Sequence, residues 1–212
     1  MEEHSESNRN PAMLKQYHNP LLTEAGCDEA GRGCLAGPVF AAAVILPKDY
    51  VNHTLNDSKK LTLRQRNILR GDILKNALAW SIASCSNTEI DTMNILRASI
   101  TAMHRAADGL SITPQLLLID GNRFYPYKNI PHLTIVRGDA TFLSIAAASV
   151  LAKTERDRFM EELDALYPRY GWRHNKGYPT VDHRRALMEY GVTEWHRLTF
   201  NLRELQTELR FL

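Results

Sequence analysis

The stretch GCDEAGRGCLAGP, residues 26–38, sets two adjacent carboxylates, Asp28 and Glu29, inside a small and apolar run. An arginine between two glycines follows, Gly31-Arg32-Gly33. A carboxylate within an apolar strand is costly without a partner. Neighbouring strand side chains also point to opposite faces, so both acids serve one site only if the strand bends or ends beside them. Gly31 and Gly33 permit that, because glycine reaches backbone conformations closed to other residues.

Working outward, LTEAGCDEA and GPVFAAAVILP read as two strands, the second a continuous apolar run ended by Pro47. Thr62 and Gln65 form a capping box, which predicts a helix over 63–79. AWSIASCS reads as a third strand. From Thr88 a helix is expected to reach Asp108, with Met93, Leu96, Ile100, Met103 and Ala107 as one buried stripe. QLLLID is a short apolar strand buried on both faces, and HLTIVRGD is another strand. A long helix is expected over 141–165, where the small residues of SIAAAS let it lie close against a sheet. YPRYGWRHNKGYPT reads as a loop, Thr180 as the cap of a helix ending at Gly191, and Leu202, Leu205, Leu209 and Leu212 recur at helical spacing. Strands first, then strand and helix in alternation, predict an α/β fold: a mixed sheet with helices packed on it.

The chain has 212 residues, 44% hydrophobic and 24% charged, enough for one sizeable core. Residues 1–20 are expected to form a flexible tail and 21–212 a single domain that includes the C-terminal helices. A net charge of +2 does not announce a nucleic-acid binder, but bases gather at 59–70 and at 169–185, where aromatics mix with them. The three cysteines, Cys27, Cys34 and Cys85, fit no zinc spacing and read as reduced, intracellular protein. No apolar run reaches the roughly 20 residues of a membrane helix. The polar, acidic N-terminus has no signal-peptide pattern.

Acids at strand ends beside glycine recur. Asp120 ends the QLLLI run before Gly121, and Asp139 follows TIVRG. In open α/β sheets the working groups gather beyond strand ends. Four carboxylates gathered there repel one another unless cations neutralise them, and hard divalent cations take oxygen ligands. Two such ions about 4 Å apart can clamp a phosphodiester under attack by water. Two of the acids have plainer alternatives, while Asp28, inside an apolar strand, is harder to dismiss. Asp139 suits a helix cap, and Asp120-Gly121-Asn122 suits a turn. The run DSKKL, with Lys59, suits a solvated face, and Trp172 and Tyr178 suit packing.

Taken together, GCDEAGRGCLAGPV, DSKKL, LLIDGN, RGDA…SIAAASVLAKTERD and YGWRHNKGYPT resemble bacterial ribonuclease HII, in that family's order and over about residues 24–200. The resemblance implies a ribonuclease H-like fold with a five-stranded mixed sheet and C-terminal helices. It implies Mg²⁺- or Mn²⁺-dependent hydrolysis, at a two-metal site, of the RNA strand in RNA–DNA hybrids. It also implies incision at ribonucleotides embedded in duplex DNA. The family acids fall on Asp28, Glu29, Asp120 and Asp139, its junction-reading motif on Gly31-Arg32-Gly33, and its sugar-contacting tyrosine on Tyr178. Lys59 is expected to meet phosphate. Cys34 stands where the family commonly has proline. The related type III enzymes carry lysine at the place of Arg32 and a large N-terminal domain, whereas about 23 residues precede the first strand here; type II is expected. A cytoplasmic monomer is expected. A non-catalytic hybrid-binding module would be expected to lose an acid, and an aspartyl phosphatase to show Asp-x-Asp, where this chain has Asp28-Glu29-Ala30.

Overall fold

Strand register places the first acids. β1 (Glu24–Ala30) pairs antiparallel with β2 (Val39–Ile45), which pairs antiparallel with β3 (Ala79–Cys85). On the other side of β1, β4 (Leu116–Asp120) and β5 (His132–Ile135) run parallel to it, giving the order β3-β2-β1-β4-β5. The computed structural model describes residues 14–55 and 61–200. Lys59 and the leucines of 202–212 lie outside the described residues. Of the expected tail, residues 14–20 are described and lie along the domain. The Lys15 N–H donates to Thr141 O at 2.8 Å, and Glu24 accepts from the main-chain N–H groups of His18 and Asn19.

Among the described residues there are six helices: α1 (Leu63–Asn76), α2 (Asn87–Met93), α3 (Ile95–Asp108), α4 (Leu143–Leu166), α5 (Trp172–Asn175) and α6 (Val181–Tyr190). The capping box on α1 forms as expected, but the helix stops at Asn76, because Ala77 is extended and β3 begins two residues later. The single helix expected up to Asp108 is two. Asn94 breaks it with φ +68 and then caps α3 by accepting the Arg97 N–H. Asparagine tolerates positive φ and is a strong N-cap, so it serves both roles. The stretch expected as a loop after α4 carries a 3-10 turn (Pro168–Tyr170) and α5.

One face of the sheet packs on α3: Ala25, Cys27, Leu117 and Ile119 meet Ala98, Ala102 and Ala106. The other face lies under α4, whose Ala146, Ala147, Val150 and Leu151 pack with Ala42 and Val44 of β2 and with Leu69 and Ile73 of α1. β4 is buried on both faces, as its apolar run implies. At the crossing of α4 over β1 the backbones nearly touch: a Cβ on Gly26 would stand 2.2 Å from the Ser144 carbonyl carbon. Gly26→Ala is therefore expected to cost about 1–3 kcal/mol in equilibrium urea unfolding, the range for overpacking. Gly33→Ala, where an added Cβ meets nothing, should stay within about 0.5 kcal/mol of wild type. Equal midpoints for the two variants would show that α4 can retreat from β1 without cost.

Candidate active site

Cys27 of β1 lies opposite Ile119 of β4 in a parallel pair, so the next step along each strand brings Asp28 and Asp120 side by side at the carboxyl ends. Asp28 is 5% exposed, its Oδ1 accepts the Glu29 N–H at 2.7 Å, and its carboxylate is hydrogen-bonded by Ser149 of α4. Burial holds the Asp28 carboxyl well above the usual carboxylate range, and the charges of Glu29 and Asp120 push the same way. Glu29 also titrates high through burial, opposed by Arg32, whose Nη1 stands 3.1 Å from Glu29 Oε1. Glu29 Oε2 is buried without a hydrogen-bond partner. Asp120 Oδ1 accepts the Gly138 N–H at 2.7 Å, which ties the end of β4 to the 3-10 turn Gly138–Ala140 that carries Asp139. Asp139 is buried and does not cap α4, whose N-cap residue is Phe142.

A cleft of about 320 Å³ on the α4 side is lined by Asp28, Glu29, Gly31-Arg32-Gly33, Asp120 and Tyr178, with Ser149 and Lys153 of α4. Strand alternation keeps its hold on Glu29, which also borders a second cleft of about 310 Å³ on the α3 side. Gly31 has φ +98, which ends the strand, and the Cys34 N–H closes a turn onto Gly31 O at 3.4 Å. Cys34 is fully buried and its thiol is hydrogen-bonded with Tyr178, which ties the loop to the Tyr178 segment. The Leu35 N–H donates to Gly177 O at 2.8 Å, so the loop after β1 and the Tyr178 segment are joined through main chain. Tyr178 is 38% exposed, with Lys153 Nζ 5.6 Å from its ring centroid. Its carbonyl meets His183 Nδ1 at 3.0 Å. His183 Nε2 accepts from Trp172 Nε1–H at 3.0 Å, so Nδ1 carries the proton and donates to Tyr178 O. Trp172 is therefore a packing residue, fully buried.

The basic runs are less free than their sequence suggests. Arg66 and Arg70 turn onto α4, pairing with Asp157 and Glu155, while Arg173 and Lys176 pair with Asp164 and Glu161. Sequence reasoning assigned no role to Ser149, Lys153 and Arg156 individually. Their spacing by four and three along α4, all on the face toward β1, was the available signal.

The donor set is all carboxylate oxygen, with one oxygen orphaned and two carboxyls pushed toward the protonated form by burial and, second, by neighbouring carboxylates. That chemistry fits a hard divalent cation. Among the described residues no three acids, histidines or cysteines stand as a ready metal cage; the acids are neighbours along two strand ends and one turn.

This sheet order, with acids at the carboxyl ends of its central strands, defines a hydrolase of the ribonuclease H class. The Ribonuclease HII family pattern matches residues 25–203. A ribonuclease HII of Bacteroides thetaiotaomicron is 63% identical over 190 residues, covering 90% of this chain and 95% of that protein. The crystal structure of the ribonuclease H2 of Pyrococcus horikoshii superposes with a TM-score of 0.72 at 26% identity, covering 88% of this chain and 98% of that one. Bst-RNase HIII, solved in complex with Mn²⁺, shares the fold at 16% identity and a TM-score of 0.66, over 89% of this chain and 70% of that one. The chain belongs to the Ribonuclease HII family and is an endoribonuclease acting on RNA–DNA hybrids.

A raised carboxyl pKa means that the folded state holds its proton more tightly than the unfolded chain. The destabilisation from Asp28 is thus absent below about pH 4 and grows as pH rises through the raised folded pKa. Without metal at neutral pH, Asp28→Asn is expected to unfold at higher urea, because the amide removes the charge that burial and the neighbouring carboxylates disfavour. The gain should vanish near pH 4; an unchanged or lower stability at pH 7 would remove the case for crowded, uncompensated acids.

Proposed function

We propose that Asp28, Glu29, Asp120 and Asp139 are the catalytic and metal-holding residues, that Gly31-Arg32-Gly33 and Tyr178 read the substrate sugar, and that Lys59 meets phosphate. The observation that carries this reading is the single cleft shared by Asp28, Glu29, Asp120, residues 31–33 and Tyr178. Two divalent cations, Mg²⁺ or Mn²⁺, would supply an activated water and neutralise the leaving 3′ oxygen. Asp28, beside both Glu29 and Asp120, would help to hold these cations. The Mn²⁺ held by Bst-RNase HIII supports divalent chemistry on this fold.

A nuclease tells RNA from DNA by the 2′-hydroxyl. Gly33 supports the reading role for the loop: the fold leaves open space where its Cβ would stand, so main chain can approach a sugar closely. Arg32, half-exposed at the mouth, is placed to exchange Glu29 for phosphate. Tyr178 presents its ring to the same cleft. Incision falls on the 5′ side of a ribonucleotide in duplex DNA, as well as within hybrids, and leaves 5′-phosphate and 3′-hydroxyl ends. We propose a cytoplasmic monomer as the working form. Separately, no helix among the described residues is long and apolar enough to cross a membrane.

A duplex with one embedded ribonucleotide should be cut with Mg²⁺ and left intact with EDTA, and Asp28→Asn should bind it without cutting. A fully active Asp28→Asn protein would refute the metal assignment. Tyr178→Ala should lower turnover on the single ribonucleotide by roughly tenfold or more, the loss of a sugar or base contact worth about 1–3 kcal/mol, and spare a long hybrid. Equal loss on both would make Tyr178 a general support. Lys59→Ala should weaken binding alike for every sequence and flatten the salt slope by about one phosphate.

A further inference from the structure

Arg156 of α4 is fully buried behind the cleft, and its hydrogen bonds all run to main-chain carbonyls. Nε donates to Pro38 O at 3.2 Å and Nη2 to Ala36 O at 3.1 Å, both in the segment after the glycine loop. Nη1 donates to Lys176 O at 2.8 Å, two residues before Tyr178. The same guanidinium stands 5.8 Å from the centroid of the Tyr178 ring. Gly31 rests on it so closely that a Cβ there would be 2.0 Å from Nε. One side chain thus touches both elements that read the substrate sugar, from beneath and out of reach of solvent.

We infer that Arg156 is the positioning residue that fixes the glycine loop and Tyr178 relative to each other, and so sets the preference for a ribonucleotide in DNA over RNA within a long hybrid. The inference rests on the proposed reading role of residues 31–33 and Tyr178. A lone ribonucleotide offers one productive register, so loop and tyrosine must meet the same sugar together. A long hybrid offers many registers and tolerates a looser pair. The planar fork of arginine is what the geometry needs: it reaches three carbonyls from two chain segments at once, whereas a lysine ammonium keeps the charge but not the fork. A second guanidinium completes the hold on the loop from the C-terminal side, with Arg197 Nη1 donating to Arg32 O at 2.9 Å and Nε to Gly37 O at 2.9 Å.

The test compares kcat/KM on a duplex with one ribonucleotide against kcat/KM on a long RNA–DNA hybrid, in the full chain with Mg²⁺. Arg156→Lys, unfolding cooperatively, should lose selectivity for the single ribonucleotide on the order of 10²-fold, the effect of an ångström-scale misplacement. Adding Tyr178→Ala to Arg156→Lys should then cost little more, because both changes break one unit. Equal loss on the two substrates, or losses that multiply in the double variant, would overturn the role of Arg156. Should Arg156→Lys fail to unfold cooperatively, Arg156→Gln is read in the same way; failure of both to fold would make Arg156 a purely structural residue and overturn the inference. If Tyr178→Ala alone leaves selectivity untouched, the reading role itself falls, whatever Arg156 does.

Discussion

The close approach of α4 to β1 is the constraint on which the site depends. Gly26 lets the helix backbone come to the strand backbone, and the alanines of α4 keep it there along the sheet. Once that contact is set, helical geometry does the rest. Ser149 arrives at Asp28, Lys153 at the cleft wall beside Tyr178, and Arg156 beneath Gly31. A methyl group at Gly26 would push all three away together. β1 with its acids and the glycine loop after it are therefore placed by one packing event, made from residues with no chemistry of their own.

The same packing makes the acids expensive. Asp28 lies under a helix and beside two other carboxylates, and Glu29 keeps one oxygen buried and unpaired. Arg32 offsets Glu29 from the surface, and Ser149 and the Glu29 N–H offset Asp28, but burial outweighs them. Stability is given up at the strand ends, where the buried carboxyls repel one another, and the proposed metal role would account for that cost. On the far side of the loop the buried charges are positive. Two buried guanidiniums, Arg156 and Arg197, are held by carbonyl oxygens, leaving a cationic floor under a segment suited to meet phosphate.

Much of this was legible in the sequence. The apolar run of β4, the capping box at Thr62 and the small residues of α4 each imply the element that forms, because each acts through local geometry or simple burial. Asp28 drew notice because a carboxylate inside an apolar strand is costly without a partner, and the structure does bury it. Asn94 was not legible, since an asparagine in an apolar helical pattern gives no sign that it will take positive φ and start a new helix. Nor was the destination of the bases: Arg66 and Arg70 read as a surface run, and only tertiary packing turns them onto Asp157 and Glu155. The Cys34–Tyr178 contact, and the joint hold of Arg156 on residues 36, 38 and 176, depend on segments far apart in the chain. Spacing alone carries no such information.

The central claim is that the strand-end carboxylates form a centre incomplete without a divalent cation. The thermal midpoint of the full chain against Mg²⁺ concentration, without substrate, tests it most directly. The account predicts a midpoint that rises with metal, by about 2.7 kcal/mol of added stability at a hundredfold excess over Kd, and that ceases to rise in Asp120→Asn. A midpoint indifferent to Mg²⁺ and Mn²⁺, or one that rises equally in Asp120→Asn, would contradict it.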